Sequence, residues 1–541
     1  MRGAPDRGQA AALRALRLLP CALLLLVPGS CARFVPEARG PEAAGAPAAF
    51  TLYEDTAPAP DRWWTQFHSP ELDLLVDRAM EGNLGLRQIQ ARLLQAEMLA
   101  VQAGTARYPA LEASGDLSAT RRRTDTGVSE DPMERAARNL KATGTLVGAA
   151  AKPATTFSGA VQSAQTQLQA AETLLTDAPA SAVTAVSHSY RFGLSTGFEV
   201  DLWGRVNARH QAALLDYEAS AEDLRAAMLS LSGAVTRQWL AITAARQELE
   251  LVRRQLELNR TRLELLELRL RRGLATALDV YQQRQIVAQT ESLLPPLESS
   301  LESARHELAV LLGLPPRAEL GLEAGQFPNP GPMPDPGLPA DLLARRPDVR
   351  AAGLELRAAD WRIGAARADR LPALRLTGSA AYDAREWDLL FDNWFATLAA
   401  SLTGPVFDAG RRKAEVARTR AVADERLAAY RQTVLNSVKE VENALLQETR
   451  QVELLAALNR ELDAARATQD QALDRYRNGL VDYLPVLSAL LQIQALERRV
   501  LQAELVRLER RVQACVALGG AWMAEDTAAP ARPPHGEEVT P

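Results

Sequence analysis

The 541-residue chain is 47% hydrophobic but only 5% aromatic, and 62 Lys and Arg against 67 Asp and Glu leave a formal net charge of -5. That balance lacks the basic footprint of a nucleic-acid binder, so no nucleic acid is expected as a partner. Charged residues, 24% of the total, are mixed with Ala, Leu and Gln at helical periods, which is the composition of long helices and coiled coils rather than of several compact domains.

Arg2, Arg7, Arg14 and Arg17 precede the apolar run "LLPCALLLLV" (18 to 27) and the small residues "PGSCA". This predicts a secretory signal over residues 1–30, because the apolar run is too short to cross a bilayer. Cys31 lies at the expected cleavage point, where the ending Gly29-Ser30-Cys31 resembles a bacterial lipoprotein signal and makes Cys31 the expected lipidation site. Pro28 departs from the usual Leu, and cleavage near Ser30 with a free thiol is the alternative. Ala32 is compatible with sorting to an outer membrane. A pairing of Cys31 with Cys515 has no positive support.

The remainder is an internal duplication. A shift of 206 residues lays Val200, Gly204 and Arg205 of "EVDLWGR" on Val406, Gly410 and Arg411 of "PVFDAGR", and Gly273, Leu274, Leu278 and Val280 on Gly479, Leu480, Leu484 and Val486. Upstream, "ARYPAL" (106 to 111) meets "DRLPAL" (369 to 374) at a shift of 263, so the first copy holds a net insertion of 57 residues between Gly115 and Val200. The predicted first repeat is 31–314, with strands near 111–119 and 189–200, a long helix 219–272, a hairpin turn at 273 and a return helix 276–313. A Pro-rich linker, 315–340, separates it from the second repeat, 341–523. There the strands are expected near 374–382 and 394–402, a long helix over 413–478, a turn at 479 and a return helix to 518. The tail 524–541 is expected to be disordered.

The strands alternate: Tyr190, Phe192, Leu194, Phe198, Val200 and Leu202 share one face at period two. Each is near the length that a tilted membrane strand requires. Four such strands cannot close a barrel, and an open sheet edge is forbidden in hydrocarbon, so the chain must oligomerise to insert. A trimer, with twelve strands, fits a conduit better than a dimer. In the first long helix Leu249, Val252, Leu256, Asn259, Leu263, Leu266 and Leu270 form one seam, and Leu251, Leu258 and Leu265 form a second. Two seams let a helix pack against neighbours on both sides, as in a wall or tube.

Catalysis has no footing here. Among His68, His188, His210, His306 and His535 no spacing suits zinc, there is no phosphate-binding glycine loop or nucleophile elbow, and no cofactor or metal is expected. Glu199 and Asp201 are a carboxylate pair, but alternating strand positions fit a membrane-interface rim better than acid–base chemistry. Trp63, Trp64 and Trp203 read as anchors or packing residues.

The ordered motifs "WWTQFHSPELDLLVDRAMEGNLGLRQIQARL" (63 to 93), "ARYPAL", "GFEVDLWGR", "LAVLLGLPP", "DLLARRPDVRAAG", "GPVFDAGRR", "YRNGL" and "ALGGAW" resemble the outer membrane factor family, the TolC-like efflux outer-membrane lipoproteins, over residues 31 to 523. The resemblance implies a homotrimer in the outer membrane, with a twelve-stranded β-barrel continued by a long α-helical barrel into the periplasm. It further implies outer-membrane lipid around the barrel, docking to a periplasmic adaptor and an inner-membrane pump of the resistance-nodulation-division class, and passive, gated export of small molecules. By the same likeness Gly273 and Gly479 end the periplasmic hairpins, with plain helix-loop-helix corners that have no gating role as the alternative, and Leu484 supplies an apolar constriction. Asp279, in the helix after the first turn's Thr276, matches a position that helps lock the closed state, an ordinary acidic residue near a helix N-terminus being the alternative. Ser488 stands where many relatives carry an aspartate and Pro485 is also non-acidic, which puts the acidic cation-binding ring in doubt, with Asp482 as a partial substitute. Trp203, Gly204, Arg205, Gly410 and Arg411 mark the barrel-to-helix junction. The rival readings are a structural periplasmic coiled-coil lipoprotein and a conduit for type I protein secretion.

Overall fold

The computed structural model describes residues 34, 62–125, 182–322, 325–332 and 345–520. Cys31 and the signal, most of the insertion and the C-terminal tail lie outside the described residues. The chain divides into two compact units whose segments alternate in sequence. One holds the strands with their flanking residues, Gln102–Ala208 and Gly364–Ala414; the other holds the bulk of the helices.

The described elements, numbered in chain order, begin with a 3-10 turn Trp63–Phe67, α1 Pro70–Gly82, α2 Leu84–Thr105, β1 Ala110–Asp125, β2 Ala182–Val200 and α3 Arg205–Arg271. They continue with α4 Ala277–Glu291, α5 Leu294–Leu311, α6 Pro347–Ala368, β3 Ala373–Ala384, β4 Trp394–Thr403, α7 Arg411–Arg477 and α8 Leu484–Ala517. Both long helices, α3 and α7, have 67 residues, about 100 Å each at 1.5 Å per residue.

Three bounds depart from the periodicity argument. α3 starts at Arg205 rather than 219, because its early buried stripe is built from Val206, Ala208, Ala212, Leu215 and Ala219 and so lacks the leucine seam that marks the later turns. The return helix after the first hairpin is split at Ser292 and Leu293, ahead of Pro295 and Pro296, which supply no backbone N–H to an interior helical turn. β1 and β2 run on to Asp125 and back to Ala182, so part of the inserted sequence is strand.

The strands form one antiparallel sheet in the order β1-β2-β3-β4. Tyr190 pairs with Leu117 and Ala384, while Ala182–Ser189 pair only with Ser118–Asp125. The β1–β2 ribbon therefore runs eight residue pairs past the end of β3, about 26 Å at 3.3 Å per residue.

The helical unit has its main core where Trp63, Trp64 and Phe67 pack with α1, the middle of α3, α5 and the end of α8. Two indole N–H groups find acceptors there: Trp63 donates to Ser232 at 3.0 Å and Trp239 to Glu71 at 2.7 Å. Arg511 and Glu448, both nearly inaccessible, form a 2.6 Å ion pair, and Arg511 also donates to the carbonyls of Gly331 and Pro332. That fixes the described end of the Pro-rich segment to α8.

Candidate functional site

The register of the sheet sorts residues into two unlike faces. One carries Leu111, Ala113, Gly115 and Leu117 of β1, with Phe192, Leu194, Thr196, Phe198 and Val200 of β2. Leu374, Leu376, Gly378, Ala380 and Tyr382 of β3 continue it, paired with Leu402, Ala400, Leu398, Ala396 and Trp394 of β4. This face has no charged residue along the four-stranded stretch. Every residue of β4 is exposed, Leu398 at 86% and Trp394 at 70%. Such a face gains nothing from water, and alternation of apolar and polar positions is the pattern of a membrane barrel strand. At the end away from the helix junctions, Tyr190, Phe192, Tyr382, Trp387 and Phe391 form edge-to-face contacts with centroids 5.5 to 6.4 Å apart. Aromatic rings with one wet and one apolar side gather at a bilayer interface.

The opposite face is polar and concave. A hollow of about 450 Å³ is lined by Glu112, Ser195, Gly197, Thr377, Ser379 and Thr397, among others. Toward the aromatic end Arg191 forms a two-pronged pair with Asp383 at 2.6 and 3.1 Å, opposite Asp116 in register. Both outer edges, β1 and β4, have a neighbour on one side only.

At the other end the strands meet the helices through a clamp. Gly204 adopts φ +76°, and Asp201 accepts hydrogen bonds from the N–H groups of Val206 and Asn207, capping α3. Glu199 accepts both prongs of Arg205 at 2.5 and 3.0 Å, with Asp369 at 3.5 Å. Burial pulls the Arg205 guanidinium down, but the hydrogen bonds and charge of Glu199, then Asp369 and Asp201, hold it above its ordinary value. Trp203 donates to the Pro372 carbonyl at 2.7 Å and so ties the turn after β2 to the turn before β3. The carboxylate pair Glu199 and Asp201 is thus engaged in a salt bridge and a helix cap. Gly410 adopts φ +85° at the matching place in the second copy, where Asp408 caps α7, but the Arg411 side chain is exposed.

At the hairpin ends Gly273 and Gly479 have φ +70° and +71°, the left-handed conformation that terminates a helix at little cost only for glycine. Thr276 and Asp279 form a reciprocal capping box at the start of α4. Asp482, Leu484 and Ser488 are exposed; Leu484 and Ser488 lie one turn apart, with the Ser488 hydroxyl donating to the Leu484 carbonyl. Tyr483 points inward and donates to Gln283 at 2.8 Å. Burial, helped by Tyr476 and Asp279 and opposed by Arg262, pushes the Tyr483 phenol up to about 12. Behind it Gln283 donates to the Asn259 carbonyl, and Asn259 exchanges hydrogen bonds with Gln494 and donates to Thr290. Asn259, which fills a position in the leucine seam, is fully buried within this network.

Of the residues singled out in the sequence, the structure joins Trp203, Gly204 and Arg205 in one junction and Thr276 with Asp279 in one cap. Gly410 and Arg411 share a turn without a clamp. The charged row Asp116, Arg191 and Asp383 and the buried Gln283 and Gln494 were not singled out. Their signal was available as polar residues at period two in β1 to β3 and at seam positions in helices. Among the described residues no group of His, Cys, Asp and Glu could hold a metal ion.

A sheet with one apolar face, one polar concave face and two open edges, followed by helices of about 100 Å, defines a membrane-inserted conduit of the outer-membrane type. Residues 163–314 and 338–520 match the family described as Outer membrane efflux protein, and the chain belongs to that family. It is similar to the pyoverdine export outer membrane protein OpmQ of Pseudomonas putida, 30% identical over 95% of this chain and 98% of that protein. The toluene efflux pump outer membrane protein TtgI of Pseudomonas putida is 29% identical over 62% of this chain and 72% of its own. The solved outer-membrane channel OprN superposes with a TM-score of 0.74 at 27% identity, covering 90% of this chain and 99% of that one. The protein is an outer-membrane component of an efflux system, and its family is one of transport conduits.

Proposed function

We propose that three copies close their sheets edge to edge into a twelve-stranded barrel, which the helices continue as a tube into the periplasm. The observation that carries this reading is the uncharged apolar face of a four-stranded sheet whose β1 and β4 edges are both open. Unpaired backbone groups are not tolerated in hydrocarbon, so the edges require further strands, and twelve leave room for a lumen. The second leucine seam supports lateral association of the helices: Leu258 and Leu265 are 46% and 56% exposed in the single chain, whereas Val252, Leu256 and Leu266 are buried.

In this reading Cys31 carries a lipid anchor, and an adaptor and an inner-membrane pump of the resistance-nodulation-division class deliver small molecules. The chain acts as a passive conduit and catalyses no reaction. Two relatives of similar identity are named for pyoverdine and for toluene, which supports selection of cargo upstream of the conduit. The hairpins ending at Gly273 and Gly479 form the gate, with Leu484 as its apolar ring and Asp482 beside it. A purely structural coiled-coil lipoprotein would have no use for the apolar sheet face.

The test is single-channel conductance of the purified protein in planar bilayers, with a double variant Leu484→Ser and Asp482→Ala for comparison. The wild type should conduct poorly and the variant should open. No pores from either, despite confirmed insertion, would sink the conduit reading. Export of a type I secretion substrate through the reconstituted system would replace small molecules with a polypeptide as cargo.

A further inference from the structure

We propose that Glu112 sets a cation preference in the middle of the barrel, so that charge selection occurs in the membrane-inserted part rather than at the hairpin gate. The inference rests on the closed-barrel reading above. Along the four-stranded stretch the polar face carries Glu112, Asp116, Glu199 and Asp383 against Arg191 and Arg375. The two arginines are engaged. Arg191 is bonded to Asp383 at 2.6 Å with Asp116 opposite in register. Arg375 lies 3.8 Å from Glu199, which Arg205 already holds.

Glu112 is different. It has no ion-pair partner among the described residues and stands in a transverse row with Ser195, Ser379 and Thr397, each in register with the next. The hollow in the concave face is centred on this row, and beside it Gly197 has no atom within 4 Å of where a side chain would begin. An unneutralised carboxylate, surrounded by hydroxyls and facing open space, would be repeated three times around the closed barrel. Fixed charge in a water-filled passage with low-dielectric walls concentrates the opposite ion and repels its own sign. The hairpin end offers less: Pro485 and Ser488 are uncharged and Asp482 is the acid of the second turn, while Asp279 of the first is engaged in its helix cap.

The experiment reads reversal potentials of the full-length protein in a KCl gradient, for wild type, Glu112→Gln and Asp482→Asn. The wild type should favour potassium over chloride. Glu112→Gln should lower that permeability ratio severalfold, more at low salt than at high salt because counter-ions screen the charge, and Asp482→Asn should leave most of it intact. A second readout does not depend on an open gate: Ser195→Cys is labelled in vesicles by a cationic and an anionic thiol reagent. The cationic reagent should react severalfold faster, and Glu112→Gln should erase that bias. Native Cys515 will not interfere, since it is buried and its thiol is pushed up to about 11 by that burial. A ratio and a labelling bias that ignore Glu112→Gln but collapse in Asp482→Asn would overturn the inference while leaving the conduit standing. No current, with Ser195→Cys inert to both reagents in inserted protein, would overturn the barrel itself.

Discussion

Leu398 and Thr397 are neighbours on β4 and should respond oppositely to the same substitution. Leu398 pairs with Gly378 and lies at the centre of the ten-residue strand on the apolar face; Thr397 pairs with Ser379 on the polar face. At 86% exposure Leu398 contributes almost nothing to the core of its own chain, so in a water-soluble sheet Leu398→Arg would change stability by no more than about 0.5 kcal/mol. If that face meets hydrocarbon, a central arginine costs about 2–4 kcal/mol per chain, compounded over every copy in the barrel. Thr397→Arg, turned toward water, should cost close to nothing and leave the oligomer intact. Urea unfolding of protein inserted in vesicles, together with the yield of heat-stable oligomer from outer-membrane extracts, measures both. Equal losses from the two substitutions, or no loss from Leu398→Arg, would refute the assignment of faces and with it the barrel.

Two further outcomes test the hairpin ends. Gly479→Ala should destabilise by about 1–2 kcal/mol, because φ is +71° although no neighbour crowds the added methyl. Gly353→Ala, inside α6 with only an ordinary 3.5 Å contact to Tyr430, should instead stabilise by up to about 1 kcal/mol, and thermal melts of the pair would separate backbone strain from crowding. Tyr483, with its folded-state phenol at about 12 against 10.0 for the free group, contributes stability that is full below about pH 10 and fades as pH rises toward about 12. Between about pH 9 and about pH 11 the loss should be about 1 kcal/mol. In Tyr483→Phe that dependence should vanish, while the lost bond to Gln283 costs about 1 kcal/mol or more at neutral pH.

The parts of this fold that could be read from sequence are those where one local rule acts alone. Gly204, Gly273, Gly410 and Gly479 recur at one spacing because each holds a positive φ, which only glycine adopts without strain. The apolar alternation of β2 follows from a period of two and needs no knowledge of neighbours. The start of α3 was hidden because alanines bury it as well as leucines do, and a small residue carries little signal in a pattern search. The opposition of Arg191 to Asp383, and of Asn259 to Gln494, was illegible for another reason. These partners lie 192 and 235 residues apart, and only the antiparallel register or the packing of separate hairpins brings them together.

Duplication has kept the backbone of the two copies alike while their fastenings have diverged. In the first copy Arg205 is locked to Glu199, and Thr276 with Asp279 caps the helix after the turn. In the second copy Arg411 is exposed, and Tyr483, at the cap position before α8, provides no side-chain cap, a proline entering the first turn instead. The second hairpin is therefore held less by its own sequence than by what it packs against: the Tyr483 bond to Gln283 and the small core of Leu266, Val280, Ile286, Val486 and Leu487. A turn stabilised locally persists when its neighbours shift, whereas one stabilised by a neighbour moves with it. Contacts of α3 and α4 with the start of α8, a buried hydrogen bond from Tyr483 and a few apolar side chains, hold the second hairpin where the first has a cap of its own.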